Sequence, residues 1–315
     1  MSEEPILDPE VEIYDAHHHL WDHEPAYLPA DLRADLASGH RVTHTVYMEC
    51  GSHYRSGGPI EMRPVGETEW LMSLPHDEGT VAGIVGHADL CLGSAVEDVI
   101  EAHLIAGLGR FRGIRHMTAW HSDPAVRHPV PTMAPNVLER PEFGRGLEVL
   151  SRLGLSFDAW VFHPQLGEVV AMARRHPELA VVVDHLGGPL LVGPYFGRRD
   201  EVWADLRSSL SELATCENVV LKLGGIGMPM FGTELGPTGQ KITSAELART
   251  WSSLVAWCIA EFGADRCMFE SNFPVDKECV DYLTLWNSFK IMAAEASPSE
   301  RDMLFSGTCK RIYKL

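Results

Sequence analysis

Along the chain, short runs dominated by β-branched and aromatic residues alternate with longer runs whose apolar positions recur at helical spacing. Eight of the short runs read as strands: VEIYDAH (11–17), RVTHTVYM (41–48), TVAGIVGH (80–87), RFRGIRHM (110–117), GLSFDAWVF (154–162), LAVVVDHL (179–186), NVVLKLGG (218–225) and DRCMFES (265–271). Between them, segments 94–107, 142–154, 164–176, 200–216, 244–263 and 280–296 carry an amphipathic helical pattern, with Gly or Pro near many of their ends. Strand followed by helix, repeated, is the pattern of a parallel sheet. Eight such units predict an α/β protein with a closed, distorted (β/α)8 TIM barrel in preference to an open sheet. No low-complexity tract or composition break marks a linker, so residues 1–315 read as a single domain with 1–10 as an N-terminal tail.

The predicted strands share a second feature, because polar or ionisable residues collect where each run stops. They are His17 and His19, Glu49, His87, Arg115 and His116, His163, Asp184 and His185, Lys222, then Glu270 with Asn272. In a barrel these positions converge on one rim, the face on which such folds build their sites. The Gly- and Pro-rich segments 50–69, 118–141 and 224–243 would lie on the same rim and are expected to form pocket walls or lids.

Composition adds mainly exclusions. A chain that is 45% hydrophobic and 22% charged is expected to fold around a large core. With 26 basic against 44 acidic side chains, the formal charge of −18 would repel nucleic acid and anionic membrane surfaces. The expected partner is therefore a small-molecule substrate; self-association into a homo-oligomer stays open. Seven cysteines, odd in number and without a C-x-x-C pair, argue against a disulfide framework or a zinc ribbon. The acidic start MSEEPILDPE lacks a signal-peptide pattern, and no run is long enough to cross a bilayer, so a reducing, cytoplasmic setting is expected.

The candidate chemistry begins at YDAHHHLWD (14–22). Side chains alternate faces along a strand, so His17 and His19 point one way and His18 the other. An isolated H-x-H is more often a hydrogen-bonded pair at a strand end than a ligand pair. In AVVVDHLGGP (180–189), an apolar strand closes on Asp184 and His185 with a tight Gly-Gly-Pro backbone behind them. Alone, His185 is as readily a satisfied core histidine. Joined to His17 and His19, it completes a three-imidazole set suited to a divalent metal with an open position for water.

Together, H-x-H at 17–19, R-G-I-R-H at 112–116, D-H-L-G-G-P at 184–189 and R-C-M-F-x-S-N-F-P at 266–274 resemble the amidohydrolase-related family. This branch of the amidohydrolase superfamily includes sugar and pyrone-dicarboxylate lactonases, and the resemblance runs from about residue 11 to the C-terminus. It implies a distorted (β/α)8 barrel that activates water against a lactone, ester or amide carbonyl. Relatives use one divalent metal, here zinc or manganese, or work without metal; a neighbouring branch decarboxylates aromatic or enol acids. By the family pattern His17, His19 and His185 are the metal-binding and catalytic histidines. The eighth-strand position, usually an Asp that serves as general base and touches the metal, is Asn272.

An amide cannot accept a proton at neutral pH and is a weaker metal ligand than a carboxylate, so another group must serve as base. Glu49 and Glu270 rank first, as acids at the ends of apolar strands; Asp276 and His163 are further choices, His163 also as a ligand or substrate contact. The ordinary alternative for either glutamate is an ion pair with Arg115. Arg115 is the expected holder of a substrate carboxylate or polarised carbonyl. Lys222 is a rim cation or a partner of Asp184. Tyr54 and Arg55 are expected to shape the pocket, and Trp21, Trp120 and Phe273 to line it or to belong to the core. Three readings follow: a hydrolase of a small, carboxylated cyclic ester or related carbonyl compound, a non-oxidative decarboxylase, and a barrel that has lost catalysis and binds only.

Overall fold

A computed structural model of the chain describes residues 4–126, 134–236 and 239–315. The strands are β1 (Glu12–His18), β2 (Arg41–Met48), β3 (Gly83–Gly86), β4 (Phe111–Ile114), β5 (Ser156–Ala159), β6 (Val181–Val183), β7 (Val219–Leu223) and β8 (Cys267–Phe269). They pair in chain order into one parallel sheet. Beyond β8 the chain runs on along β1: the Asn272 N–H donates to His17 O at 2.8 Å and the His19 N–H to Phe273 O at 2.7 Å, which nearly closes the barrel. The expected (β/α)8 architecture is the one observed.

The helices that return the chain between strands are α1 (Pro29–Leu36), α2 (Val65–Ser73), α3 (Val96–Ala106), α4 (Pro141–Leu153), α5 (Leu166–Arg175), α6 (Arg199–Ala214), α7 (Ser244–Phe262) and α8 (Tyr282–Met292). After them come α9 (Pro298–Asp302) and α10 (Thr308–Tyr313). The six expected helical segments correspond to α3 through α8. The remaining four carry little apolar periodicity. Only Leu32 of α1 is buried, and the buried positions of α2 include Gly66, Glu67 and Thr68. No described helix is long and apolar enough to cross a membrane.

The barrel interior is layered by the two-residue period of the strands. Val182, Val220 and Met268 fill a lower, apolar layer with Val46, Val85 and the α10 residues Cys309 and Tyr313. Two residues further along the same strands come Asp184, Lys222 and Glu270, all fully buried. Asp158 of β5 joins this second, charged layer. The N-terminal residues are strapped down: Lys290 of α8 donates to Leu7 O at 2.8 Å and Asp8 O at 2.9 Å.

Candidate active site

His17 and His19 lean to the same side of β1, and their Nε2 atoms meet at 3.2 Å. His18 faces away, with Nε2 at 3.0 Å from Thr45 Oγ1. The outer nitrogens have fixed roles. His19 Nδ1 lies 2.8 Å from Met48 O, which only accepts, so Nδ1 carries the proton. His17 Nδ1 lies 2.9 Å from Glu270 Oε2, likewise an acceptor. Burial holds both imidazoles below their ordinary pKa, helped at His17 by the Lys222 ammonium and at His19 by the His17 ring and Arg115. Two neutral rings, each with its proton on Nδ1, therefore aim lone pairs at one point.

His185 approaches from β6, its ring centroid 4.6 Å from that of His17. Its Nδ1 is 2.6 Å from Glu270 Oε1, and its backbone N–H donates to the same oxygen at 3.1 Å. Glu270 thus bridges a histidine of β1 and one at the end of β6 and leaves His185 Nε2 as the open nitrogen of a ring that lines the cavity. Burial would raise the Glu270 carboxyl, but His185 and His17 hold it down to about 2. Room for it comes from Gly224 at the end of β7, where a Cβ would stand 2.2 Å from Glu270 Cγ. At the turn after β6, His185 and Leu186 take φ of 55° and 56°, and Asn272 takes 55°. Left-handed backbone at non-glycine residues costs roughly 1–3 kcal/mol each and collects at functional sites.

Beneath the imidazoles lie the two buried cations. Lys222 Nζ sits 3.0 Å from both Asp158 Oδ2 and Asp184 Oδ1, and 3.4 Å from His17 Nδ1. Arg115 Nε donates to Glu49 Oε1 at 2.8 Å, its Nη2 donates to Glu49 O, and its Nη1 is 3.6 Å from Asp184 and 3.4 Å from His17 Nε2. Burial would raise Asp184, but Lys222 and His17 keep it well below the usual carboxylate range. Tyr313, from the C-terminal helix, closes this network with a 2.5 Å hydrogen bond to Asp158.

Above the charged layer opens a cavity of about 530 Å³. His19, Arg115, His185 and Asn272 form its polar floor, while Trp21, Met117, Trp160, Met228, Met230 and Val275 supply most of its walls. Asn272 is held from behind: its Nδ2 donates to Asp276 Oδ1 at 2.7 Å, and Asp276 Oδ2 accepts the Gly227 N–H at 2.7 Å. Burial pushes the Asp276 carboxyl up to about 7.

Of the residues named from sequence, the structure brings His17, His19, His185, Asn272, Arg115, Glu49, Glu270 and Lys222 together. It separates three others. Arg55 lies on the surface, paired with Glu69 through its Nε at 2.9 Å, because residue 55 is already past the rim. His163 is four residues beyond β5; its Nδ1 accepts the Leu190 N–H at 3.2 Å and braces the β6 turn. Tyr54 lines a neighbouring cavity of about 420 Å³ with His87 and His116. Glu49, Glu270 and Lys222 are fully buried under the rim and do not line the main cavity, so none of the three can meet water or substrate there. Trp21 is a wall residue, Trp120 is not among the lining residues, and Phe273 packs against Tyr282. Of the three long rim segments, 127–133 and 237–238 lie outside the described residues. Asp158 and Tyr313 were missed. An acid inside the apolar run GLSFDAWVF was the available signal for Asp158; KRIYKL offers none for Tyr313.

The fold and the histidine-lined rim define a barrel hydrolase of the amidohydrolase type. The chain belongs to the amidohydrolase family, whose model matches residues 14–315. It is 31% identical to the uncharacterized protein y4mH of Sinorhizobium fredii, with 97% of this chain and 99% of that protein aligned. It is 28% identical to an L-fucono-1,5-lactonase of Burkholderia multivorans over 96% of this chain and 95% of the relative. A crystal structure of a Burkholderia multivorans amidohydrolase with bound zinc superposes with a TM-score of 0.74 at 25% identity, covering 96% of this chain and 99% of that one. Family and relatives together make the protein an enzyme, a lactonase-like hydrolase.

Proposed function

We propose that the protein opens a small cyclic ester with water, using His185 as the proton-transfer group and Arg115 as the carbonyl contact. The observation that carries this reading is the His185–Glu270 pair at 2.6 Å beside a cavity of about 530 Å³. Glu270 orients the ring and stabilises its charged form, while Nε2 removes a proton from water as the new C–O bond forms. The same nitrogen then returns the proton to the ring oxygen as the ester C–O bond breaks, so the product is a hydroxy acid. Glu270, ranked with Glu49 from sequence as the base, acts here through the imidazole. Arg115 already faces Glu49 and Asp184, so it suits the partial charge of a neutral carbonyl better than a third carboxylate. This argues against the carboxylated substrate expected from sequence, and equally against the decarboxylase reading.

The donor set fits a divalent metal such as zinc or manganese. The Nε2 atoms of His17 and His19 stand 3.2 Å apart, with the Arg115 Nη1 donor 3.4 Å from that of His17, and two neutral nitrogens so placed suit a positive centre. A second grouping, His17 with Asp184 and His185, has donor atoms within 4.8 Å of one another, but Lys222 already occupies its Nδ1 side. His17 and His19 would hold the ion through Nε2; His185, whose Nδ1 is taken by Glu270, keeps its one free nitrogen for proton transfer and so stands outside the ligand set expected from sequence. Bound there, the ion would polarise the carbonyl and acidify water. Without the ion, His185 and Arg115 would carry the same reaction alone. The seven cysteines are all free thiols, which a reducing, cytoplasmic setting would maintain; the cavity of about 530 Å³ suits a small-molecule substrate as partner.

The test is acid release on a panel of lactones followed by pH-stat, in parallel with CO₂ release on aromatic acids. His185→Ala is expected to cut lactone turnover at least 10²-fold, the usual scale of a lost proton-transfer group. Unchanged turnover, or CO₂ release instead, would remove the reading.

A further inference from the structure

We infer that the substrate is a lactone carrying an apolar alkyl or aryl group, and not the polyhydroxylated sugar lactone for which the Burkholderia relative is named. The inference rests on the hydrolase reading and concerns the part of the substrate away from the carbonyl. A site that binds a polyol must offer a partner to each buried hydroxyl, because an unpaired one loses its water without compensation. The described walls of this cavity offer almost none. Met117, Met228, Met230 and Val275 have no hydroxyl, amide or charged group. The Trp21 indole N–H is already donated to Pro25 O at 2.8 Å. The Cys50 thiol, also on the wall, is directed to Leu20 O and Glu67, each at 3.5 Å.

The floor groups are nearly all committed as well. His19 and His185 present one nitrogen each toward the reacting centre, Arg115 is shared between Glu49 and Asp184, and the Asn272 amide N–H₂ is engaged by Asp276. The Asn272 carbonyl oxygen on the floor and the exposed His23 imidazole, which stacks on Trp21 at the mouth, are the polar side-chain groups that remain without a hydrogen bond on this surface among the described residues, too few for the hydroxyls of a sugar lactone. What the walls do present is aromatic and polarisable. Trp21 stacks on His23 at 5.1 Å with a 7° interplanar angle, and the Trp160 ring stands edge-on to His185 at 4.7 Å. Thioether and indole surfaces of this kind favour flat or aliphatic groups. A denser set of polar side chains lines the neighbouring cavity, where Tyr54, His87, Asp89, His116 and Arg140 stand on the far side of Met117.

The experiment compares kcat/KM for dihydrocoumarin and δ-decalactone with that for L-fucono-1,5-lactone and D-glucono-1,5-lactone. In a second arm, calorimetry measures binding of 3,4-dihydroquinolin-2(1H)-one, the lactam counterpart of dihydrocoumarin, which supplies the apolar shape without a cleavable ester. The expected result is at least a 100-fold preference for the apolar lactones and saturable binding of the lactam at the cavity, weakened at least tenfold in Met228→Asn. Equal or better hydrolysis of the sugar lactones overturns the inference and leaves the hydrolase reading standing. Lactam binding without hydrolysis of any lactone sustains the apolar site and overturns the hydrolase reading; no binding and no hydrolysis overturns both.

Discussion

At the residue scale the unusual position is Asn272. Its Nδ2 is spent on Asp276, so it presents a carbonyl oxygen to the cavity where a carboxylate would bring charge. Asn272→Asp is expected to raise affinity for zinc or manganese at least tenfold, read by metal titration, because it adds a charged ligand beside His17 and His19. The same change sets two carboxylates where a 2.7 Å hydrogen bond now lies, and about 1–3 kcal/mol of stability should be lost in urea unfolding. Adding Asp276→Asn reverses the polarity of the bond while retaining an acceptor for the Gly227 N–H. Most of the lost stability should return; failure to recover would show that Asp276 matters through other contacts. The meeting of His17 with His19 was legible from the chain, since strand period alone puts i and i+2 on one face. The Asn272–Asp276 bond was not, because it depends on how the chain turns after β8.

At the scale of elements, the strands were readable because their apolar runs are local and dense, and the six longer helices because their stripes are. Helix α2 was not, since its buried side holds Glu67, which accepts Tyr47 OH at 3.0 Å and the backbone N–H groups of Cys50 at 2.9 Å and Ser52 at 3.1 Å. One carboxylate thereby ties the rim segment after β2 to the helix that follows it. Glu67→Ala leaves the two backbone donors unpaired and Tyr47 OH with the 3.4 Å contact to Leu20 O, and is expected to cost about 2–4 kcal/mol, measured by urea denaturation. At the end of β7, Gly224→Ala should displace Glu270 and lower turnover at least tenfold. A variant with normal activity would show that the carboxylate does not orient His185.

At the scale of the whole molecule, the buried carboxyls set opposing demands on pH. Burial raises Asp15 to about 6, Glu67 to about 7 and Asp276 to about 7, so the native state holds protons that the unfolded chain has released. Their contribution is fully present below about pH 4 and is lost as pH rises through 6 to 7. Glu270, held near 2, contributes above its ordinary value and loses that contribution as pH falls from about 4.5 toward 2. Buried histidines weigh more heavily the other way: burial holds His18 and His116 near 3 and His40, His103 and His163 near 4, so their contribution is present above about pH 6.5 and is lost as pH falls toward 4. With these five rings set against the three carboxyls, thermal unfolding followed from pH 3 to pH 9 should peak between about pH 6 and 7 and fall steeply on the acid side. A peak at pH 4–5 would show that these histidines are protonated without penalty in the folded chain. Reading along the chain was enough to determine the order of strands and helices, the barrel, and the rim on which the ionisable residues gather, because periodicity is a property of neighbours in sequence. Only the tertiary structure decided which of those residues meet solvent. Glu49, Glu270 and Lys222 end the same kind of apolar run as His185 does, yet ring closure buries them one layer down as counter-charges. The wall of thioethers and indoles comes from segments as far apart as Trp21 and Met230, and contact across such separations is a matter of distance in space that no local pattern encodes.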